Sequence, residues 1–130
     1  MAMTPKEWET LDNFSRIEFL CACCGQEQMQ MPFMKALQQM RGLLDAPILI
    51  TSGYRCLNHN KNVGGAERSY HLRGRAADLV APTSAWRYCI VQSAMKVGFT
   101  GIGIYEGYIH VDDREGHEPV MWMNRGGLFN

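Results

Sequence analysis

The clearest hydrophobic pattern in the chain lies between Pro32 and Pro47. Its apolar side chains recur at intervals of three and four residues, as Phe33, Leu37, Met40, Leu43 and Leu44. Lysine, glutamine and arginine side chains occupy positions between them, which is typical of an amphipathic helix with one face on the core. We therefore predict a main helix that begins at Pro32 and ends at residues 46–47.

Three further helical segments are marked by their capping residues. At residues 4–7 a threonine N-cap precedes proline, and Glu7 stands at the capping-box spacing. Ser15 is placed to cap a second helical turn, which ends before a cysteine-rich stretch. Residues 82–84 begin another helix, which Gly98 ends. The apolar residues of this helix are Trp86, Ile90, Ala94 and Val97.

Five short apolar runs have the length and boundaries of β-strands: residues 48–52, 76–80, 101–105, 108–112 and 120–123. Pro47 and Gly53 bound the first run, which indicates a buried strand. Glu106 and Gly107 alone separate the third run from the fourth, so we predict a hairpin with a tight turn. The last run is predicted to be an edge strand.

Together these elements predict an α+β fold, a small antiparallel sheet flanked by helices, in a single domain that covers residues 1–130. Residues 58–69 are polar and contain two glycines. We predict a long loop there, and loops of this length inside a compact domain are usually functional.

Charge and hydropathy exclude several classes of function. The 13 basic and 13 acidic residues cancel, so the chain has no net attraction for nucleic acid or an anionic membrane. Its apolar runs fall far short of the roughly 20 residues that cross a bilayer. The N-terminal region, where the apolar core of a signal peptide would lie, carries Lys6, Glu7, Glu9 and Asp12. We expect a monomer that is cytoplasmic as synthesised, without nucleic-acid partners or membrane insertion.

Three of the five cysteines are crowded into residues 21–24, as Cys21, Cys23 and Cys24. Without an export signal, we expect reduced thiols. One interpretation is a second, structural zinc site that also uses Cys56, since thiolates favour zinc. The other is free cysteines packed as small apolar residues. The sequence favours packing, because two separated Cys-x-x-Cys pairs are absent.

Two histidines and one aspartate form the strongest chemical pattern. His71 precedes Asp78 by seven residues, and His110 lies far downstream on the second strand of the predicted hairpin. Side chains two apart on a strand share a face, so Tyr108 and Asp112 are predicted to point the same way as His110. Two imidazoles and one carboxylate fill three positions of a zinc ion and leave the fourth for water, which is typical of a catalytic site.

The motifs around these residues are similar to those of one enzyme family. They are Ser-Gly-Tyr-Arg at residues 52–55, Asn60 with Gly64-Gly65, Ser-x-His-x-x-Gly-x-Ala-x-Asp at residues 69–78, and Gly-Ile-Tyr followed by His-Val-Asp at residues 110–112. In this order they resemble the zinc D-Ala-D-Ala peptidases that act on bacterial cell-wall peptides, especially their phage and bacterial murein carboxypeptidase branch. The resemblance implies the hedgehog/D-Ala-D-Ala peptidase fold and a Zn²⁺ cofactor bound by His71, Asp78 and His110.

The resemblance also implies roles for two residues near the metal. Arg55 is expected to contact the substrate, at its terminal carboxylate or at the carbonyl oxygen of the cleaved bond. A guanidinium can clamp a carboxylate with two hydrogen bonds or stabilise an oxyanion. Ser69 lies two residues before a ligand, and it is predicted either to bind the substrate or to orient the metal site.

The general base is where the sequence departs from the family pattern. Many relatives carry an acidic residue three positions before the last histidine ligand, where this chain has Gly107. Glu106 is our candidate for the proton carrier. Asp112 is predicted near the site, either as a base or as the partner that orients a ligand. We assign neither His59, in the predicted loop, nor His117, in a polar turn, to the metal.

These observations predict a zinc metallopeptidase that hydrolyses D-Ala-containing peptide bonds in peptidoglycan stem peptides or cross-links. The resemblance implies a phage or prophage endolysin that reaches the wall after release, or a virion-associated tail hydrolase. The alternative is a zinc-binding, catalytically weak cell-wall-binding or structural module, which Gly107 favours. The sequence leaves open whether such an enzyme acts as a carboxypeptidase or as an endopeptidase.

Overall fold

The computed structural model describes residues 2–116 and 118–124, in which a five-stranded sheet forms the centre of the fold. The strands are Ile50–Ser52 (β1), Ala76–Val80 (β2), Gly101–Tyr105 (β3), Tyr108–Asp112 (β4) and Val120–Met123 (β5). The helices are Pro5–Glu9 (α1), Met31–Leu44 (α2), Leu57–Asn62 (α3) and Ser84–Lys96 (α4). Segments Arg16–Phe19 and Tyr70–Arg73 are 3₁₀ turns. The predicted α+β class is confirmed.

The strands lie in the order β1-β2-β4-β3-β5. The first four strands in this order pair in antiparallel fashion, and β3 and β4 form the predicted hairpin. The edge strand β5 is also confirmed, although it pairs parallel to β3, with Val120 opposite Gly101. The sheet is therefore antiparallel except for one parallel pair at its edge.

Three of the helical segments begin where their capping residues predict. The Thr4 hydroxyl accepts a hydrogen bond from the Glu7 amide at 3.2 Å, while the Glu7 carboxylate accepts one from the Thr4 amide at 2.8 Å. The Ser15 amide donates to Glu18 in the same way, at 2.8 Å. The Thr83 hydroxyl caps α4 by accepting from the Trp86 amide at 3.1 Å. These contacts satisfy amides that have no partner within their own helix.

The hydrophobic core lies between the helices and one face of the sheet. The helices α2 and α4 pack on each other, and α4 also contacts β4. The predicted core faces are confirmed by the burial of Phe33, Leu37, Met40, Ile90, Ala94, Ile109 and Val111. Burying one such large apolar side chain stabilises the fold by roughly 1.5–3 kcal/mol.

One predicted core position on α2 is wrong. Leu43 is 53% exposed, whereas its neighbour Leu44 packs against the core. Successive side chains on a helix point about 100° apart. Only one of two adjacent leucines at the end of the apolar stripe therefore reaches the core.

The first strand is shorter and less buried than its apolar run predicts. Only Ile50–Ser52 is strand, and Leu49 is 64% exposed although Ile48 is buried. β1 lies at the sheet edge, pairs with β2 alone, and has an irregular register between Ile50 and Ser52. An edge strand keeps one side open to solvent, so an apolar run does not ensure burial.

The predicted loop at residues 58–69 is partly wrong, because its first half belongs to helix α3. The N-cap of this helix is Cys56, whose sulfur accepts a hydrogen bond from the His59 amide at 3.4 Å. Cysteine is not among the residues that usually mark a helix start. The remaining segment, residues 63–69, is irregular and lines the cavity described below.

Within the described residues, no helix is long and apolar enough to cross a membrane. The prediction of a single domain over residues 1–130 stays a prediction. His117 and residues 125–130 lie outside the described part of the chain.

Candidate metal centre

Three separate elements bring the predicted metal ligands together. His71 lies in the 3₁₀ turn Tyr70–Arg73, Asp78 lies at the centre of β2, and His110 lies at the centre of β4. Asp78 and His110 are direct partners in the antiparallel register, so their side chains share one face of the sheet. That face is opposite the core, because the alternating residues Ile109 and Val111 are buried among the apolar side chains.

The three side chains present one donor atom each to a common point. His71 Nε2 lies 3.1 Å from Asp78 Oδ1, and His110 Nδ1 lies 3.2 Å from both of these atoms. All three residues are buried. Zinc bonds of about 2.0–2.1 Å at tetrahedral angles would place ligand atoms about 3.3 Å apart. The group therefore fits a zinc ion in donor type and in spacing.

The other nitrogen of each imidazole is held by a fixed acceptor. His71 Nδ1 lies 2.7 Å from the carbonyl oxygen of Gly53, and His110 Nε2 lies 2.7 Å from Asp112 Oδ2. These acceptors favour the tautomers in which His71 Nε2 and His110 Nδ1 are free to bind a cation. Gly53 and Asp112 thus fix the orientation of the two imidazoles whose inner nitrogens face the common point.

The electrostatics of the group favour positive charge at this common point, whether it is carried by protons on the imidazoles or by a metal ion that replaces them. Burial opposes the charge of Asp78, but hydrogen bonds from His110 and His71 outweigh burial and hold the pKa of this carboxyl well below its usual range. Burial likewise opposes a charge on His110, but hydrogen bonds to Asp112 and Asp78 outweigh it and raise the pKa of this imidazole. A buried carboxylate that stays ionised beside two imidazoles attracts a positive ion.

Comparison with known proteins agrees with this geometry. Residues 12–112 match the family model described as Peptidase M15, and this match covers most of the chain and all three grouped residues. The chain belongs to the peptidase M15 family. The family resemblance seen in the sequence motifs is therefore confirmed.

One curated relative is similar over part of its length. A 71-residue segment is 44% identical to the zinc D-Ala-D-Ala carboxypeptidase of Streptomyces albus G. The aligned segment spans 53% of this chain and 27% of that protein.

In this M15 family member, Asp112 lies behind His110 rather than beside the common point of the three donor atoms. Its Oδ2 accepts from His110 and from Arg114 Nη2, both at 2.7 Å, and its Oδ1 accepts from Arg114 Nε at 2.9 Å. Burial raises the pKa of Asp112, but the Arg114 and His110 contacts outweigh burial and hold it below its usual range. Of its two predicted roles, this placement fits the orientation of a ligand and argues against a general base.

The metal group opens into a cavity of about 450 Å³, which is large enough for a small peptide substrate. Glu106 lines a neighbouring cavity instead, which shares Arg55, Asp78 and Tyr108 with the first. Glu106 is exposed at the β3–β4 turn, where Gly107 adopts a positive φ of 82°. Its side chain therefore stands at the rim of the site, and its role as proton carrier stays a prediction.

Arg55 is bound from three sides. It donates to Ser52 Oγ and Asn60 Oδ1, each at 3.2 Å, and to Asp78 Oδ2 at 3.1 Å. Asp78 thus offers one oxygen to the metal group and the other to Arg55. These contacts use three of the five N–H groups of a guanidinium and leave two for a ligand in the cavity.

Ser69 has a contact that supports its structural role. Its hydroxyl accepts from the His71 amide at 3.2 Å and caps the turn that carries this ligand. Ser69 also lines the cavity, so its contact with substrate stays a prediction.

The sequence missed two residues that surround His110. The Trp122 ring lies 5.3 Å from the His110 ring, and its Nε1 donates to the Tyr105 hydroxyl at 3.0 Å. Arg114 binds Asp112 and lies over the Trp122 ring at 4.8 Å. In the sequence, Trp122 belongs to the apolar run at residues 120–123 and Arg114 follows the last motif, so neither has a pattern that marks it as part of the site.

Of the other histidines, His59 is half-buried on α3 and is not part of the His71-Asp78-His110 group. It stands on a helix rather than in a loop, and its exclusion from the metal site stays a prediction. The prediction for His117 falls outside the described residues.

Proposed function

We propose that this chain is a zinc-dependent peptidase that hydrolyses D-Ala-containing peptide bonds in peptidoglycan stem peptides or cross-links. The observation that carries the proposal is the grouping of His71 Nε2, Asp78 Oδ1 and His110 Nδ1 within 3.2 Å of one another. Membership of the M15 family and the name of the Streptomyces relative support the reaction type and the substrate class.

In this proposal, His71, Asp78 and His110 hold the zinc ion. When bound, zinc supplies a Lewis acid that polarises a carbonyl group and acidifies water. Gly53 and Asp112 fix the tautomers of the two histidines through the carbonyl and carboxylate contacts at 2.7 Å. Removal of such an outer partner commonly weakens metal affinity by about 10–100-fold.

Arg55 is the group that we propose to orient the substrate. Its guanidinium lines the cavity beside Asp78, and two of its N–H groups are left by the contacts described above. A pair of N–H groups suits the terminal carboxylate of a peptide or the oxygen of the cleaved carbonyl. Asn60 and Ser52 keep the guanidinium from swinging out of the cavity.

Glu106 is the group that we propose to carry the proton to the leaving amine. It lines the cavity that shares Arg55, Asp78 and Tyr108 with the metal cavity. A carboxylate at a hairpin turn is free to change rotamer and approach a bound peptide. The setting of the reaction, in phage lysis or on a virion tail, is part of the same proposal and rests on the sequence resemblance alone.

A second candidate function is a zinc-binding module of the cell wall that hydrolyses poorly. The exposure of Glu106 at the rim and the glycine at position 107 favour it. The two candidates differ in turnover but share the metal site.

The test is the release of amino groups and of free D-Ala from purified peptidoglycan by zinc-loaded protein. We expect release that a chelator abolishes, together with loss of activity and of the zinc ion bound at this site in His71→Ala, because one of three protein ligands is removed. The His59→Ala protein is the matched histidine control and should keep its zinc.

Zinc binding without chelator-sensitive release from any peptidoglycan type would favour the binding module. If His71→Ala with blocked cysteines keeps the zinc content of the wild type, zinc does not bind at His71, Asp78 and His110, and the proposal is wrong. Free D-Ala as the product would indicate a carboxypeptidase, and cleaved cross-linked dimers would indicate an endopeptidase.

A further inference from the structure

A second cluster of metal-binding side chains lies apart from the histidine site. The sulfur atoms of Cys21, Cys23 and Cys56 all lie within 4.8 Å of one another. Cys23 Sγ and Cys56 Sγ are 3.6 Å apart, although 33 residues separate them in the chain. Cys24 lies in the same turn, three residues after Cys21, and can supply a fourth sulfur to this group.

The backbone around Cys21 forms a tight turn that brings two of these cysteines together. The Gly25 amide donates to the Cys21 carbonyl at 2.8 Å, and the Cys21 amide donates to the Gln26 carbonyl at 2.7 Å. Gly25 has φ of 71°, a conformation that glycine adopts without strain. Cys21 and Cys24 within this turn stand at the Cys-x-x-Cys spacing typical of zinc sites.

Backbone amides surround the sulfur atoms as they would surround thiolates. The Cys56 amide donates to Cys21 Sγ at 3.4 Å, and the His59 amide donates to Cys56 Sγ at 3.4 Å. Thiolate, rather than thiol, is the form that binds a metal.

Packing of these cysteines as small apolar residues, which the sequence favoured, does not match their exposure. Cys21 is buried, but Cys23 and Cys24 are exposed and Cys56 is half-buried. Two exposed thiols contribute little to a core. Their convergence on Cys21 and Cys56 therefore calls for another explanation.

We propose that Cys21, Cys23, Cys24 and Cys56 bind one zinc ion as a structural tetrathiolate site. Zinc–sulfur bonds of about 2.3 Å at tetrahedral angles place sulfur atoms about 3.8 Å apart, close to the 3.6 Å between Cys23 and Cys56. A disulfide would require about 2.05 Å. Four thiolates complete a tetrahedron, so this ion has no open position for substrate.

The position of the cluster gives the ion a structural consequence for the candidate active site. Cys56 follows Arg55 directly and caps α3, the helix that carries Asn60. Asn60 in turn holds the Arg55 guanidinium. An ion that joins Cys56 to the turn at residues 21–25 would fix the backbone from which Arg55 reaches the cavity.

The experiment is metal analysis of protein purified under reducing conditions. We expect two zinc ions per chain in the wild type, one in His71→Ala, and one in the double variant Cys24→Ser/Cys56→Ser. Cys89→Ser is the matched control, because Cys89 lies on α4 outside the cluster, and it should keep both ions. Cobalt added to metal-free wild type should produce the sulfur-to-cobalt absorption of a thiolate site, which the double variant lacks.

One zinc ion in the wild type, lost entirely in His71→Ala, would overturn the proposal. Protein purified in air could instead have a mass two hydrogens below that of the reduced chain and contain no second metal ion. That result would overturn the proposal and indicate a Cys23–Cys56 disulfide. If the double variant does not fold, the zinc ion that remains in His71→Ala provides the test. Its remaining zinc should be released by a thiol-blocking mercurial, and zinc that resists the mercurial would contradict the proposal.

Discussion

At the scale of single residues, the metal centre depends on atoms that do not face the metal. His71 and His110 each present one ring nitrogen inward and bind a fixed oxygen with the other. Asp78 divides its two oxygens between the metal group and Arg55. Each ligand therefore has one orientation, and the affinity of the site should depend on partners such as Asp112.

Replacing Asp112 by asparagine should weaken zinc binding by about 10–100-fold, because the amide is a poorer acceptor for His110 and Arg114 than the carboxylate. Competition with a chromogenic chelator measures this affinity. Asp113→Asn is the matched control, since Asp113 pairs with Arg75 rather than with a ligand. Equal affinities of the two variants would show that Asp112 does not orient His110.

Replacing Glu106 by glutamine should lower kcat by at least ~100-fold and leave zinc content unchanged, because only proton transfer is removed. Peptide hydrolysis and metal analysis measure the two quantities. Glu115→Gln provides a control with another exposed glutamate, whose partner is Arg75. Wild-type turnover in Glu106→Gln would assign the proton carrier to another group.

At the scale of elements, the β3–β4 hairpin separates the core from the site. Ile102, Ile109 and Val111 fill its core side, and His110 and Asp112 occupy the other. Gly103 stands opposite His110 on β3, where a side chain would meet the Trp122 ring at 2.6 Å. Glycine at this position therefore provides the space in which Trp122 packs on His110.

Replacing Gly103 by alanine should destabilise the protein by about 1–3 kcal/mol, because the new methyl group displaces Trp122. Gly42→Ala is the control, and its expected effect on stability has the opposite sign. Gly42 is exposed on α2 with nothing within 4 Å of an added Cβ. Alanine there should stabilise the protein by up to about 1 kcal/mol through helix propensity. Denaturant unfolding measures both, and an unchanged free energy of unfolding in Gly103→Ala would contradict the proposed contact.

At the scale of the whole molecule, the metal centre joins parts of the chain that are distant in sequence. The His71 ring binds the Gly53 carbonyl, and the Arg55 amide donates to the His71 carbonyl at 3.2 Å. His110 comes from a strand 39 residues after His71. The donor atoms are grouped only in the folded chain, so an ion bound there stabilises the fold.

Removal of metal should therefore lower the unfolding temperature, and added zinc should restore it. Mass action predicts about 4 kcal/mol of stabilisation when free zinc is a thousand times its Kd. Calorimetry with and without a chelator measures the shift, and His71→Ala should retain only the part that depends on the cysteines. Identical unfolding temperatures with and without metal would contradict the coupling of this site to folding.

Local signals in the sequence determined three helix starts, the hairpin and the candidate ligand set. Thr4, Ser15 and Thr83 cap their helices through contacts within three residues, so their effect is readable from neighbours in the chain. The alternation in β4 likewise places His110 and Asp112 on one face without knowledge of the fold. The motifs added the identity of His71, Asp78 and His110, which the structure then brings together.

Tertiary structure alone decided the contacts between segments that are remote in sequence. The edge position of β1 exposes Leu49, and the choice between Asp112 as base or as orienting partner depends on Arg114 and His110 around it. Cys56 meets the turn at residues 21–25 only after folding. Such contacts are set by packing across the whole chain, whereas capping and strand alternation act between neighbours. This is why the sequence identified the candidate ligands but not the residues that surround them.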